Sequence, residues 1–529
     1  MTRKLMFPLA IISVMQFATI ALAGSEGVYN TLFGQNAGGE LDYSSLRDSF
    51  FGANAGHSTT IGQFDTFIGY SAGYSNTEGS SNLFAGFYSG YANTEGGENV
   101  FLGNYAGASN TDGSFNLFAG MKSGYLNTTG QYNTFIGYHS GYSNTTGNYN
   151  LFLGEAAGYQ TTTGWYNTFL GSAAGAYNTT GQYNVFIGGE AGNSNTTASY
   201  NVFIGYESGL LNTTGVGGLF AGYLAGYNNV NGNYNIFLGR NSGYSNQSGN
   251  DNVFIGRNTG MSNVSGSNSV IIGSGAGYST TSGENTFVGY YTGRVNTTGG
   301  FNTFLGYQAG KSNTTGEENT LVGADAGFSL SSGSNNTILG MLAGYANNGS
   351  GNVFLGNYAG YYEDGSNMLY IANDTTDTPL VYGEFNNDKL TVNGNVGIGT
   401  TTQDSSHPLK LAGGAYTDGS AWYNASSREL KDNIRMLDYK DAGELLMMLE
   451  PVVYNYKRIP NEERLGFISE DVPEIISSTD RKGLNSMDIV AVLTKVVQQQ
   501  LKDAEEQKKV IAELENRIRE MEKRQMPDE

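Results

Sequence analysis

The chain has 529 residues, which is too long for one ordinary hydrophobic core. Its 78 glycines do not fall at every third position, and it has no cysteine, so collagen and disulfide-stapled folds are excluded. A net charge of −20 disfavours nucleic acid and anionic membranes as partners. Between Val28 and Ile371 the cationic residues are few, and most of the others follow Asp388. Two physically different regions are therefore joined in one chain. The cationic residues of the first region are Arg47, Lys122, Arg240, Arg257, Arg294 and Lys311.

Residues 1–23 have the pattern of a signal peptide. Arg3 and Lys4 precede an apolar run from Leu5 to Ile20, and Ala21–Ala23 is a small-residue cleavage motif. The run is short for a membrane anchor, so we expect export with cleavage. No later segment is apolar for long enough to span a bilayer. The sequence therefore predicts an extracellular or cell-surface protein, most simply a bacterial one, with no membrane span after signal removal.

Residues 24–372 repeat a unit of the form N-x-F-[IL]-G-Y-x-[AS]-G-Y-x-N-T-T-G-x-Y. From Phe135 to Phe254 a phenylalanine recurs every 17 residues. Glycines at fixed positions indicate turns, and the apolar residues lack the 3.6-residue period of a helix. We therefore predict a mainly β fold, a β-solenoid rod in which each unit forms one coil stacked through parallel ladders. About twenty coils at ~4.8 Å each would extend over roughly 95 Å.

Asparagines recur with the same period as the phenylalanines. Stacked coils would align them into a ladder of side-chain amides. The alternative is glycosylation, because Asn-x-Thr is frequent in the repeats, but these asparagines occupy turn positions where the motif arises by chance. The asparagines of the register predicted to form the ladder are Asn82, Asn99, Asn116, Asn133, Asn150, Asn167, Asn184 and Asn201.

Each unit also has two adjacent apolar residues, such as Phe135 and Ile136. Neighbours on a strand point to opposite faces, so one of them would form an apolar stripe along the rod. Association with other copies would bury that stripe; the alternative is a flattened coil that buries both residues. The repeat resembles the short-repeat β-rolls of trimeric bacterial adhesins in architecture.

Residues 373–425 differ from the repeats and are predicted to form a β stem. Apolar and polar residues alternate around Asn386-Asn387 and Asn393-Gly394, which are turn signals. The segment GNVGIGT, residues 394–400, resembles the stems of phage tail fibres, and that resemblance implies three chains wrapped together.

The segment NASSRELKDNI, Asn424–Ile434, resembles the start of the self-cleaving intramolecular chaperone domain of endosialidase tail spikes and phage tail fibres. Ser427 stands where the family usually has aspartate. Further blocks follow in family order, so residues 426–529 are expected to form such a domain. The resemblance implies trimerisation and cleavage between Ala425 and Ser426. The residues that match the family pattern S-D-x-x-L-K-x-N-I are Ser426, Leu430, Lys431, Asn433 and Ile434.

The chemistry implied at this site is a single-turnover serine peptidase with no external substrate. Ser426 would be the nucleophile and Lys431 the base, a known variant of the nucleophile–base pair. The alternative is structural, because Ser426 and Glu429 have the spacing of a helix capping box. The two roles can coexist.

The last helix carries a heptad pattern over residues 488–524, which is typical of a coiled coil. Its alternative is an amphipathic helix packed on its own domain. Near-identical coils can slip by one repeat, so a C-terminal trimer would set a common register for three chains. The predicted seam consists of Val490, Leu493, Val497, Gln500, Ala504, Gln507, Ile511, Leu514, Ile518 and Met521.

The sequence thus predicts a secreted or surface homotrimeric fibre, adhesin-like, that matures by C-terminal self-cleavage. The alternatives are a glycan-binding or glycan-degrading tail spike and a surface- or ice-binding solenoid. A cell-surface or glycan ligand fits the fibre and the tail spike. No cofactor is indicated. His57, His139 and His407 are scattered along the sequence, so no metal site is predicted.

Overall fold

The structure is a computed structural model that describes residues 29–41, 47–401, 407–412, 415–423 and 426–525. The predicted signal peptide lies outside these residues. The chain divides into two compact units, residues 1–396 and 397–529. Each unit is described by itself below.

The first unit is a β-solenoid with one short strand in each coil, which confirms the predicted fold class. We number coil positions from the asparagine before the strand, so that Asn133 is position 1 and Tyr149 is position 17. Each strand pairs in parallel with the strands of the adjacent coils. The strands are β1 (Thr31–Phe33), β2 (Ser49–Phe51), β3 (Thr66–Ile68), β4 (Leu83–Ala85), β5 (Val100–Leu102), β6 (Leu117–Ala119), β7 (Thr134–Ile136), β8 (Leu151–Leu153), β9 (Thr168–Leu170), β10 (Val185–Ile187), β11 (Val202–Ile204), β12 (Leu219–Ala221), β13 (Ile236–Leu238), β14 (Val253–Ile255), β15 (Val270–Ile272), β16 (Thr286–Val288), β17 (Thr303–Leu305), β18 (Thr320–Val322), β19 (Thr337–Leu339), β20 (Val353–Leu355) and β21 (Met368–Ile371).

The core of each coil is the side chain at position 3. Phe135 is fully buried and stacks on Phe118 and Phe152 with ring centroids 4.8 Å apart on both sides. The spacing matches the separation of adjacent strands, so the phenylalanines from Phe50 to Phe254 form a continuous aromatic column, and Ile271, Leu321 and Ile338 take this position in later coils. Such a column buries apolar area that a single coil could not bury alone.

Two glycines in each coil are required by geometry. Gly137 has φ +137°, and a Cβ there would lie 2.4 Å from the carbonyl oxygen of Gly154 in the next coil. Gly141 has φ +59°, and a Cβ there would lie 2.4 Å from the ring of Phe135. Both positions combine a left-handed backbone with a close approach, and only glycine meets both conditions.

Two asparagine ladders run along the solenoid. In the predicted register, the backbone N–H of Asn133 donates to Oδ1 of Asn116 at 3.0 Å, and its Nδ2 donates to the carbonyl of Gly147. Some asparagines of this register also bond amide to amide, as Nδ2 of Asn150 does to Oδ1 of Asn133 at 3.2 Å. A second ladder lies at position 12, where Nδ2 of Asn144 donates to Oδ1 of Asn127 at 2.6 Å. The asparagines of both ladders are buried, which leaves no room for a glycan and favours the ladder interpretation.

The position-12 ladder is interrupted where the sequence departs from asparagine. Thr161 replaces asparagine, and both its Oγ1 and the Oδ1 of Asn144 are buried without a hydrogen-bond partner among the described residues. The coil of residues 269–284 is one residue shorter than the repeat. It lacks the usual residue in both asparagine ladders and in the phenylalanine column, with Ser269 at position 1, Ile271 at position 3 and Thr280 at position 12.

The position-1 ladder has two buried aspartates, Asp48 and Asp65, directly after Asn30, whose Oδ1 accepts from the N–H of Asp48 at 2.9 Å. The backbone N–H of Asp65 donates to a carboxylate oxygen of Asp48 at 2.9 Å, and Oδ2 of Asp65 accepts from Nδ2 of Asn76. The pKa of Asp65 is raised to about 8, chiefly by burial and also by the charge of Asp48, while the hydrogen bonds from Asn82 and Asn76 oppose the rise. These coils therefore hold a carboxyl group that favours its protonated form.

Positions 2 and 4 of the strands point outward and form an apolar surface that we call the strand face. Leu153 is 42% exposed and Leu305 is 46% exposed, whereas the position-3 side chains between such residues are buried. The predicted stripe is therefore present, with one apolar residue of each adjacent pair buried and the other at least partly exposed. The alternative was a flattened coil that buries both residues of each adjacent apolar pair. It is wrong for the pair Phe152 and Leu153 and for the pair Phe304 and Leu305.

The parallel ladder ends in antiparallel strands. β21 pairs with β22 (Val381–Glu384), which pairs with β23 (Lys389–Val392) after a 3₁₀ helix at Phe385–Asn387. The predicted turn at Asn386-Asn387 therefore joins two strands. A four-stranded sheet follows, formed by β24 (Val396–Ile398), β25 (Leu409–Leu411), β26 (Tyr416–Thr417) and β27 (Trp422–Tyr423).

The second unit contains the helices. Two small apolar clusters hold it together: Ala442 packs with Val492 and Val496, and Leu449 packs with Val472 and Ile476. Its elements after the four-stranded sheet are a 3₁₀ helix at Arg428–Leu430, helix α1 (Tyr439–Met447), the antiparallel pair β28 (Val452–Tyr456) and β29 (Ile459–Gly466), and helix α2 (Ser486–Arg524).

Candidate self-cleavage site and association surfaces

The chain turns sharply just after Ser426. Ser427 has an extended backbone and caps the 3₁₀ helix Arg428–Leu430, with its Oγ accepting from the N–H of Glu429 at 3.3 Å. The expected capping box at Ser426 is therefore wrong by one residue. Serine and aspartate are both good N-caps, so Ser427 can do what an aspartate at this position would do.

This turn brings Ser426 and Lys431 together. Lys431 follows the 3₁₀ helix with an extended backbone, φ −131° and ψ 129°, and its Nζ donates to Oγ of Ser426 at 2.8 Å. In a regular α-helix a five-residue offset places side chains on different faces, but a single 3₁₀ turn followed by an extended residue closes the distance. The two predicted residues therefore meet within one chain.

Both groups of this pair are exposed in the single chain. A lysine acts as a base only when it has given up its proton, which burial or a nearby cation promotes. Ala425, which would supply the attacked carbonyl, lies outside the described residues. The geometry thus brings the predicted nucleophile and base into contact, and both are exposed in the single chain.

Helix α2 has two distinct apolar faces. Asn485 caps it, with its side-chain oxygen accepting from the N–H of Met487 at 3.1 Å. Val492 and Val496 are buried against α1, so packing on its own domain uses these residues. The apolar residues of the predicted seam lie apart from this contact, with Leu493 and Ile511 41% and 54% exposed. Packing on its own domain and the predicted coiled coil would therefore use different residues of this helix, so one does not exclude the other.

A groove of about 700 Å³ lies beside the start of α2. Tyr454 and Tyr456 of β28 line one side, and Phe467, Ile489 and Val490 line the other parts of it. Val490 is the first residue of the predicted seam. The groove and the seam therefore form a continuous apolar surface on the C-terminal unit.

Within the residues that the structure describes, no group of three side chains could hold a metal ion. No helix in that part of the chain has the length and hydropathy of a membrane span. His57 stacks on Tyr74 and His139 on Tyr138, so these two imidazoles pack against aromatic rings.

The family comparison covers the segment that holds Ser426 and Lys431. Residues 426–481 match the family model described as chaperone of endosialidase. These residues are thus similar to the chaperone-of-endosialidase domain. The match begins at Ser426, which is the residue predicted to follow the cleaved bond. A search of the curated proteins finds no match for the chain.

Proposed function

We propose that the chain is an exported homotrimeric fibre whose C-terminal domain aligns three solenoids and is then released by cleavage before Ser426. The chaperone-of-endosialidase domain after a β-solenoid fits a tail-fibre-like trimeric protein. The observation that carries the cleavage proposal is the 2.8 Å contact between Nζ of Lys431 and Oγ of Ser426 at the start of that domain.

The proposed reaction transfers the peptide from nitrogen to oxygen. Neutral Lys431 accepts the hydroxyl proton as Oγ of Ser426 bonds to the carbonyl carbon of Ala425. The carbon–nitrogen bond to Ser426 then breaks, its nitrogen gains a proton, and an ester remains. Water hydrolyses that ester, which leaves Ala425 with a carboxylate and restores the serine hydroxyl. Each chain reacts once.

Trimerisation is supported by the apolar surface that the C-terminal unit leaves open. The groove beside α2, the exposed seam and Leu465, which is 81% exposed, together exceed what a soluble monomer normally presents. Burial of the Ser426–Lys431 pair between copies would also favour the neutral lysine that the reaction needs. Cleavage would then follow assembly.

The test compares the mature protein with its Ser426→Ala, Lys431→Ala and Lys431→Arg variants by intact mass and denaturing gels. We expect a released fragment, residues 426–529, from the wild type alone, because arginine keeps the charge but does not act as a base. Ser427→Ala is the matched control, since it removes a cap and keeps both reacting groups. Full-length product from all chains, or cleavage in Lys431→Arg, would refute the mechanism. Sedimentation of Ser426→Ala tests the trimer separately.

A glycan-degrading spike is the second candidate, favoured by one observation. Glu284 and Glu317 line the same groove of about 450 Å³ beside the shortened coil, together with Phe301. Glycan hydrolysis commonly uses two carboxyl groups. The Glu284→Gln and Glu317→Gln variants test this function, because loss of glycan hydrolysis in both would support it.

A further inference from the structure

The solenoid carries an uneven distribution of charge along the corner that follows each strand, positions 5 to 11 of the coil. Five consecutive coils, from the one beginning at Asn235 to the one beginning at Asn302, have four cationic residues and no acidic residue at these positions. We call this surface the cationic corner. Its charged residues are Arg240, Arg257, Arg294 and Lys311.

The surrounding coils reverse the sign. Glu190 and Glu207 occupy position 7 of earlier coils, and Asp325 occupies position 7 of the coil that follows. Within the five coils the acidic residues Asp251, Glu284, Glu317 and Glu318 lie at positions 16 and 17, outside the cationic corner. Charges of one sign are therefore grouped on one corner of a chain whose net charge is −20.

Aromatic rings lie beside three of these cations, Arg240, Arg294 and Lys311. The guanidinium of Arg294 lies 4.1 Å from the ring centroid of Tyr291 and 5.2 Å from that of Tyr278. Gly275 makes room for this arrangement, because a Cβ there would lie 2.4 Å from the Tyr291 ring. Lys311 lies 4.9 Å from the ring of Phe328. Stacked cations lose less conformational freedom when they bind a ligand.

The cations form no close ion pairs, although Lys311 interacts electrostatically with Asp325 of the next coil. In the described part of the chain, none of the four forms an ion pair with a carboxylate within 4.0 Å. Arg240 and Arg257 are exposed, and Arg294 and Lys311 are partly exposed. Guanidinium groups bind planar anions such as carboxylates in a bidentate manner. We propose that the cationic corner binds the acidic groups of an anionic polysaccharide.

The charge density favours a polysaccharide over a nucleic acid. Adjacent coils are separated by ~4.8 Å, so the four cations are spread over about 20 Å. Duplex DNA carries one charge per ~1.7 Å, and the net negative charge of this chain would repel so dense a polyanion. A polymer with one acidic group per sugar matches the wider spacing of the corner.

The test measures binding of an oligogalacturonate by calorimetry, with full-length Ser426→Ala protein. The methyl-esterified oligogalacturonate is the matched ligand without charge. We expect Arg257→Gln/Arg294→Gln to weaken binding about tenfold or more through the loss of two charged contacts. The control, Arg47→Gln/Lys122→Gln, makes the same change in net charge outside the corner and should leave binding unchanged.

Three outcomes would overturn the inference: no binding of the oligogalacturonate, equal loss in both double variants, or tighter binding of single-stranded DNA than of the oligogalacturonate. Arg257→Lys/Arg294→Lys keeps the charge but loses the planar guanidinium, so it should bind more tightly than the glutamine variant and less tightly than the wild type, which separates a charge effect from misfolding. This inference adds a ligand to the proposed fibre, but its test needs neither cleavage nor trimerisation, so either proposal can fail alone.

Discussion

The solenoid and the C-terminal domain differ in how far they bury their apolar side chains. In the solenoid, side chains such as Phe135 and Phe152 are completely buried by the coils before and after them. In the C-terminal domain, Met436 is 91% exposed and Met447 is 85% exposed, and only two small clusters are buried within the described residues. The coils bury their position-3 side chains against one another and leave the strand face partly exposed, whereas the C-terminal domain leaves most of its large apolar side chains exposed.

The difference explains why repeats alone would assemble poorly. Each coil offers the next the same contacts, so the ladders stabilise a solenoid without distinguishing one alignment of neighbouring chains from another. The C-terminal domain has no such repetition before its heptads. A unique surface can set a register that a repeated surface cannot.

The largest effect is expected from a glycine substitution. Gly137→Ala places a Cβ against the backbone of Gly154, which cannot move aside, and imposes an unfavourable φ. We expect it to lower the free energy of unfolding of the surrounding coils by about 3 kcal/mol or more. Gly443→Ala in α1 is the control, since a Cβ there meets nothing within 4 Å and should stabilise the helix by up to about 1 kcal/mol. Hydrogen exchange of both regions measures the contrast, and similar effects would contradict it.

The second prediction concerns α2. Ile511 and Val510 are adjacent and almost equally exposed, at 54% and 55%, so a single chain would treat substitutions at them alike. Only Ile511 belongs to the predicted seam. We expect Ile511→Glu to convert the trimer to monomer and Val510→Glu to leave the trimer largely intact, because a charge in the seam is buried. Sedimentation of both variants distinguishes a coiled coil from a helix that packs only on its own domain.

The third prediction is a pH dependence confined to the first coils. The folded-state pKa of Asp65 is raised from 3.8 to about 8, so between these values the folded state holds a proton that the unfolded state has lost. The resulting stability is fully present below pH 3.8 and is lost as the pH rises through about 8. Asp65→Asn should remove this dependence and stabilise these coils at neutral pH.

Hydrogen exchange, corrected for the intrinsic effect of pH, follows the first coils in this experiment. Asp251→Asn removes the same charge from an exposed position 17 and is the control. Equal effects of the two substitutions would show that general charge repulsion, and not the buried carboxyl group, is responsible.

The smallest effect should come from repair of the position-12 ladder. Thr161→Asn would give the Oδ1 of Asn144 a donor and restore the amide chain. We expect a stabilisation of about 1 kcal/mol in the neighbouring coils, the usual net value of one hydrogen bond. Thr163→Asn, at an exposed position, should change little. Destabilisation by Thr161→Asn would mean that the ladder is unimportant to packing.

The sequence alone determined the coil, its length and its buried phenylalanine. Each repeated contact joins residues 17 apart, so periodicity reveals it directly. The pairing of Ser426 with Lys431 was predicted from the family resemblance, and the contact between them came from the structure. The sequence did not show that Ser427, and not Ser426, caps the helix. The identity of the cap depends on the residue at which the turn begins, and the two adjacent serines fit the same pattern.

Only the tertiary structure decided which groups each asparagine ladder joins. Asn133 and Asn144 recur with the same period, so the sequence pattern cannot separate them. The fold does, because Oδ1 of Asn133 accepts from both the backbone N–H and the Nδ2 of Asn150, while Nδ2 of Asn144 donates to Oδ1 of Asn127. The cationic corner also required the structure, since Arg257 and Arg294 are 37 residues apart in the sequence and come onto one surface only when the coils stack.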